Sequence, residues 1–161
     1  SLYRFFPNKE AVADALVQRH IAVLEDEYAA LAKRAATLSP DALADVLIEL
    51  LVTLHPRVKS LSALMEARTD KMEIRDRARG HAIVGIAAAL RVCAPELEDA
   101  LARDIAAVVL NTMKVLRSML AKDAPTTPGA PDELRRMHRL YLTDRLQPFR
   151  RTPDGITDAE P

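Results

Sequence analysis

The chain has 161 residues and a formal net charge of zero; 49% of its residues are hydrophobic and only 4% are aromatic. A chain of this size with four glycines can bury one good core without the glycine-rich turns of a large β protein. The zero net charge excludes a general attraction for polyanions, so any contact with nucleic acid must be local.

The cysteine count and the apolar stretches restrict the compartment. The single cysteine, Cys93, excludes an internal disulfide and a multi-cysteine zinc site, and it fits a reducing cytoplasm. The longest apolar stretch, residues 82–90, ends at Arg91 and is too short to span a bilayer. The N-terminus lacks the charged start and apolar centre of a signal peptide. We therefore expect a soluble cytoplasmic protein with no membrane partner.

The composition predicts an all-α fold, because alanine, leucine, arginine and glutamate dominate and β-branched residues occur singly. A long helix is predicted after Pro7, with an apolar stripe at alternating spacings of four and three: Val17, Ile21, Leu24, Tyr28 and Leu31. A second helix is predicted to begin at Ser39-Pro40-Asp41, with the serine as its cap and the proline at its first position. It is predicted to end at His55-Pro56, because a proline pushes the residue before it out of helical geometry.

The middle of the chain predicts two more helical segments. A short one covers residues 57–68, and Thr69-Asp70 with Glu73 then forms a predicted capping box for a helix that runs to about Ala94. One side of that helix carries small residues that would let another helix or a ligand come close: Ala78, His81, Gly85 and Ala88.

Two helices and a linker are predicted for the C-terminal third. Pro95-Glu96 is predicted to start a long helix that ends near Ala121 and whose second half is apolar over more than one face. Such a helix must be covered on two sides, and a partner subunit is the simplest second cover. A proline-rich linker, 122–131, precedes a last helix over 132–146, and a frayed tail is expected from Pro148 onward.

The N-terminal segment crowds three aromatic residues ahead of a helix start: Ser1-Leu2-Tyr3-Arg4-Phe5-Phe6-Pro7-Asn8-Lys9-Glu10. Continued through Leu16, it closely resembles the end of the recognition helix and the start of the next helix in the TetR family of transcriptional regulators. That family's pattern is roughly Thr/Ser-Leu-Tyr-x-x-Phe-x-x-Lys-Glu-x-Leu. Every specified position matches except the last, where Val12 stands. The resemblance covers about sixteen residues, and the rest of the chain is similar to the family only in its succession of helices.

The resemblance implies an all-α, TetR-like helical bundle. Residues 1–16 would be the end of the recognition helix and the start of the connecting helix, so that the chain begins inside the recognition helix of a helix-turn-helix. Residues 17–147 would form the ligand-binding and dimerisation domain, and 148–161 a C-terminal tail. By the family pattern, Tyr3 and Lys9 would contact the DNA backbone. Ser1 is suited to hydrogen-bonding phosphate oxygens, and Arg4, at a position where the family varies, could reach a phosphate. The alternative is that the aromatic cluster is only a hydrophobic staple at a helix entrance.

In TetR-like proteins the later helices enclose a pocket for a small molecule, and the resemblance implies such a pocket here. Its expected lining, mostly apolar with a few polar groups, is Leu50, Leu54, His55, Met65, Arg68, His81, Val84, Asn111 and Met113. Simpler interpretations exist: His81 as a hydrogen-bonded core or interface histidine, Asn111 bonded to a neighbouring subunit, His55 marking a helix end, and Arg68 in a surface ion pair. The apolar middle helices predict a hydrophobic effector.

A homodimer is expected through the last two helices, as a four-helix bundle. Its predicted interface residues are Val108, Thr112, Val115, Met119, Leu134, Met137 and Tyr141. The leading hypothesis is a ligand-responsive DNA-binding repressor that a small effector releases from its operator. The alternative is a helical small-molecule carrier without a DNA function.

An all-helical enzyme is the third class considered. The sequence shows no nucleophile motif, phosphate loop or carboxylate pair, so no enzyme is predicted. The four histidines do not share one helix at a metal-ligand spacing, and neither a metal site nor a cofactor is expected.

Overall fold

Five α-helices and a short 3₁₀ helix make up the fold in the computed structural model, which describes residues 9–65 and 70–150, with the side chains of 11–54, 70 and 72–150. The helices are α1 Lys9–Ala35, α2 Pro40–Met65, α3 Lys71–Cys93, α4 Asp99–Met119 and α5 Ala130–Leu146, followed by the 3₁₀ helix Gln147–Phe149. These ranges contain no strand, and the prediction of an all-α protein is confirmed. Within them, no helix combines the length and apolar character needed to cross a bilayer.

The core lies where α1 and α2 meet the other three helices. Helix α1 packs mainly against α3, α3 against α4, and α2 against α5. The predicted stripe of α1 is confirmed, because its five residues are 3–7% exposed. Most of the buried apolar residues form one cluster, which includes Leu43 and Leu47 of α2, Ile86 and Leu90 of α3 and Leu142 of α5.

A glycine lets α1 and α3 approach closely. A Cβ atom built on Gly85 of α3 would lie 2.5 Å from both Cβ and Cγ of Tyr28 on α1. These atoms are the base of the tyrosine side chain, which cannot swing away without moving its helix. The prediction that the small side of α3 admits another helix is therefore confirmed.

The start of α2 follows the predicted capping pattern. The Ala42 backbone N–H donates to Ser39 Oγ at 3.4 Å, and Pro40 is the first helical residue. The hydrogen bond from the Ser39 hydroxyl is the main cause that lowers the pKa of Asp41, which lies in the first turn. Both side chains therefore help to satisfy the helix N-terminus.

The predicted end of α2 at His55-Pro56 is wrong. The helix continues through Pro56 to Met65, so the segment predicted separately over 57–68 is mostly its last part. A proline inside a helix removes one backbone hydrogen bond and disfavours helical geometry before it, but does not forbid it. Apolar residues in the sequence keep helical spacing on both sides of the proline, and this local preference outweighs the break.

The start of α4 also differs from the prediction. Helix α3 ends at Cys93, close to the predicted position, but α4 begins at Asp99 rather than at Pro95. The Glu96 N–H donates to the Phe149 carbonyl at 3.2 Å, and the Leu97 N–H donates to the Ala94 carbonyl. The C-terminal 3₁₀ helix therefore holds this segment as a turn, and that long-range contact has no local sequence signal.

The remaining boundaries lie close to their predicted places. Helix α3 is predicted to open at Thr69-Asp70 and begins at Lys71. The Asp70 side chain makes no capping hydrogen bond. Thr69 lies outside the described residues. Helix α5 begins at Ala130, two residues before the predicted start, because Pro131 is accommodated in the first turn. On α5, His138 is 1% exposed, and burial lowers the pKa of its imidazole.

Candidate ligand-binding cavity

A cavity of about 560 Å³ lies among α1, α2, α3 and α4. This volume is within the range of small-molecule sites, roughly 300–1,000 Å³. Its inner wall, called the apolar floor below, consists of residues that are less than 10% exposed: Leu24, Tyr28, Leu54, Ile74, Ala82, Leu110 and Met113. All four helices contribute to this floor, so an occupant would touch each of them.

Tyr28 adds one polar group to the apolar floor. Burial raises the pKa of its hydroxyl to about 12, so the group remains protonated at neutral pH. A neutral phenol can donate a hydrogen bond without bringing a charge into the cavity. The floor thus suits an apolar molecule that carries at most a few polar atoms.

The mouth of the cavity has a different chemistry. Four cationic side chains line it, and we call them the cationic rim: Arg75, Arg79, Lys114 and Arg117. Arg75, Lys114 and Arg117 are exposed and Arg79 is half-buried. One carboxylate, Asp76, lines the same mouth.

Asn111 holds two members of the rim together. Its Oδ1 atom accepts a hydrogen bond from Arg79 Nη1 at 3.1 Å and from Lys114 Nζ at 3.4 Å. In the described ranges, none of the four rim cations forms an ion pair. Partial burial lowers the pKa of Lys114, and the charges of Arg79 and Arg117 lower it further. The rim is therefore a concentration of positive charge without a matching set of carboxylates.

The predicted lining residues fall into distinct places. Leu54 and Met113 line the cavity, and Asn111 stands behind the rim. Leu50 is half-buried against the main core. Val84 is 48% exposed and lies off the cavity.

His81 joins α3 to α1 beside the cavity. Its Nδ1 atom lies 2.9 Å from Glu25 Oε1, with 39% of the imidazole side chain exposed. The residue is neither fully buried nor part of the cavity lining. Its contact is a partly exposed link between two helices.

Several predicted positions lie outside what the structure describes. The residues themselves are not described for Ser1, Tyr3, Arg4 and Arg68. Lys9, His55 and Met65 belong to helices, but their side chains are outside the described set. The candidate DNA contacts and three candidate lining residues therefore stay predictions.

The cationic rim was missed by the sequence reasoning. Arg75 and Arg79 are four residues apart on α3, and Lys114 and Arg117 are three apart on α4, so each pair shares a helix face. That spacing was the available signal. It does not show that the two faces meet over one cavity, because this depends on how α3 and α4 pack.

A second, smaller cleft has a partly polar lining. The cleft, of about 260 Å³, lies between α1 and the start of α3, and its polar lining includes Asp14, Asp70 and Glu73. No group of three or more histidine, cysteine or acidic side chains that could hold a metal ion was found among the described residues.

Exposed apolar side chains lie on both α4 and α5, two helices that are in contact, and we call these side chains the α4–α5 face. Four of its residues are large, apolar and 46–62% exposed: Val108, Val115, Met137 and Leu140. Leu140 was not predicted there. Val108 and Arg117 are nine residues apart, which places them about 180° apart around α4. The face and the cavity therefore lie on opposite flanks of one helix.

The other predicted interface residues are less available. Thr112 donates its hydroxyl hydrogen bond to the Val108 carbonyl of its own helix, so it needs no partner. Leu134 packs against a buried cluster of Ile48, Met113 and Leu116. Tyr141 packs against the main core, and Met119 is half-buried.

Comparison with known proteins adds no relative. No family model, curated protein or solved structure matches this chain. The function is therefore inferred from the residues and from the cavity that they form.

Proposed function

We propose that this protein is a ligand-responsive, DNA-binding transcriptional regulator with a TetR-like bundle. It acts as a homodimeric repressor that a small molecule releases from its operator. The observation that carries the proposal is the cavity among α1–α4, which has an apolar floor and a volume suited to a small molecule. The N-terminal sequence, from Ser1 to Leu16, supplies the DNA-binding half of the proposal.

Helix α1 supplies a physical route from ligand to DNA. Leu24 and Tyr28 of α1 belong to the apolar floor, and the same helix leads back toward Lys9 and the segment that resembles the end of a recognition helix. A ligand shifts an equilibrium only if it binds one conformation better than another. An occupant that contacts α1, α3 and α4 together favours one position of α1, and with it one spacing of the two DNA-reading segments in a dimer.

The α4–α5 face supports the homodimer. Large apolar side chains exposed at 46–62% on two adjacent helices are a surface that a second copy would cover. A two-fold axis would place α4 and α5 of each subunit together as four helices. Because the cavity lies on the other flank of α4, dimerisation leaves the rim accessible.

The test is a gel shift with the protein expressed from its own start codon, on the DNA upstream of its gene, over a range of salt concentrations. We expect specific binding that weakens steeply with salt, because phosphate contacts release counterions. Tyr3→Ala and Lys9→Ala should each weaken DNA binding about tenfold, because each substitution removes a hydrogen bond to a charged phosphate group. Lys33→Ala is the control, since Lys33 lies in the last turn of α1.

The competing function is a small-molecule carrier, which the cavity would serve equally well. The regulator hypothesis would be contradicted if the protein bound that DNA no better than random DNA and a genome-wide binding selection also recovered no site. That result would favour the carrier. A specific shift that Tyr3→Ala and Lys9→Ala leave unchanged would contradict the assigned DNA contacts.

A further inference from the structure

We propose that the cavity binds an amphipathic anion, a molecule with an apolar body and one acidic head group held at the cationic rim. The inference deepens the proposed function and rests on it, in that the bound anion would be the effector. The prediction from sequence was a hydrophobic effector; the rim adds a requirement for negative charge at one end.

The apolar floor selects the body of the ligand. Leu24, Leu54 and Leu110 come from three different helices and are 3–9% exposed. An apolar chain that enters the cavity is therefore removed from contact with water on several sides. Each buried methylene group is worth about a fourfold gain in affinity. A volume of about 560 Å³ has room for a chain of moderate length.

The cationic rim selects the head group. Arg79 and Lys114 both donate a hydrogen bond to the Asn111 Oδ1 atom. Two positively charged hydrogen-bond donors are therefore held within reach of one ligand group. Neither forms an ion pair in the described ranges. An acidic group placed there would relieve the mutual repulsion of the cations and accept charge-assisted hydrogen bonds.

Some other surface arginines already have a carboxylate partner. Arg91 and Arg103 both contact the Asp99 carboxylate, and Arg139 contacts Asp45 at 2.6 Å. Those cations have carboxylate partners within the protein. Among the described residues, Asp76 is the one carboxylate that lines the cavity beside the four rim cations, and the rim borders an apolar cavity, which is the arrangement expected for a ligand that supplies the missing charge.

Isothermal titration calorimetry with three ten-carbon probes tests the inference: decanoate, decan-1-ol and decyltrimethylammonium, each below the concentration at which it aggregates. The probes share their chain and differ in head-group charge. We expect decanoate to bind at least about tenfold tighter than decanol, and the cationic probe to bind weakest. Equal affinity for decanoate and decanol, or binding of neither, would overturn the proposal.

Rim variants locate the head group. Arg79→Gln and Lys114→Gln should each weaken decanoate binding about tenfold and leave decanol binding unchanged. Lys114→Arg keeps the charge and should keep the affinity, and Arg136→Gln removes an exposed cation on α5, away from the cavity. Circular dichroism would check that each variant is folded. Unchanged decanoate affinity in both glutamine variants would overturn the assignment to the rim.

The outcome is separable from that of the proposed function. The calorimetry is done without DNA, so its result does not depend on DNA binding. Tight decanoate binding by a protein that shows no specific DNA binding would support the anion site and contradict the proposed regulator. A specific gel shift by a protein that prefers decanol would support the regulator and contradict the anion site.

Discussion

At the scale of single residues, Gly85 controls how closely α1 can lie against α3. A methyl group there would meet the Tyr28 Cβ and Cγ atoms at 2.5 Å, so α1 would have to move. We expect overpacking in Gly85→Ala to cost about 1–3 kcal/mol. The gain in helix propensity, ~1 kcal/mol, offsets only part of this cost, so the free energy of unfolding should fall. Urea unfolding measures the difference.

Gly80→Ala is the matched control for that substitution. Gly80 lies on the same helix, is exposed, and has no atom within 4 Å of the added methyl group. Its replacement should stabilise the protein by about 0.5–1 kcal/mol through helix propensity alone. If the two variants proved equally stable, the close crossing of α1 and α3 would be contradicted.

At the scale of helices, hydrophobic periodicity and local capping could be predicted because both depend on neighbours in the sequence. The α1 stripe and the Ser39 cap illustrate this. The helical spacing of apolar residues on both sides of Pro56 was a local signal for the continuation of α2, but the proline was given more weight. The late start of α4 had no such signal, because it depends on a hydrogen bond between Glu96 and Phe149, which are distant in sequence.

The α4–α5 face gives a prediction at the same scale. If the proposed dimer forms through this face, Val108→Lys should shift the protein toward monomer, because it would place a charge in the apolar contact between two copies. Sedimentation equilibrium measures the dissociation constant, which we expect to rise at least about tenfold. Val108 is exposed by 48% in one subunit, so the subunit fold should be unaffected.

Val84→Lys is the matched control for the interface. Val84 is also a valine exposed by 48%, but it lies on α3 away from the α4–α5 face. Its replacement should leave the dimer intact. A wild-type protein that sediments as a monomer, or equal behaviour of the two variants, would contradict this interface.

At the scale of the whole molecule, the position of the cavity was only partly predictable. Leu54 and Met113 line the cavity, but Val84 turns outward and the rim cations were missed. Periodicity shows which residues share a helix face. It does not show how far each helix is rotated against its neighbours, and the lining of a cavity among four helices depends on that rotation.

If the cavity is the effector site, occupying it should change the affinity for DNA, and a tethered ligand tests this whatever the natural effector is. Val52 lines the cavity mouth and is 44% exposed, so Val52→Cys can be labelled with a decyl thiosulfonate whose chain reaches the floor. The native Cys93 is buried, and burial raises the pKa of its thiol, so it should react slowly. Val92→Cys, 40% exposed and outside the cavity lining, is the labelled control.

The decisive measurement is the dissociation constant for the DNA site selected by the native protein, taken for both labelled variants. Labelled Val52→Cys should bind that DNA at least about tenfold more weakly than labelled Val92→Cys, a coupling of the usual size between two sites. Equal DNA affinity for the two labelled proteins, with the label at Val52→Cys complete, would contradict the claim that the cavity controls DNA binding.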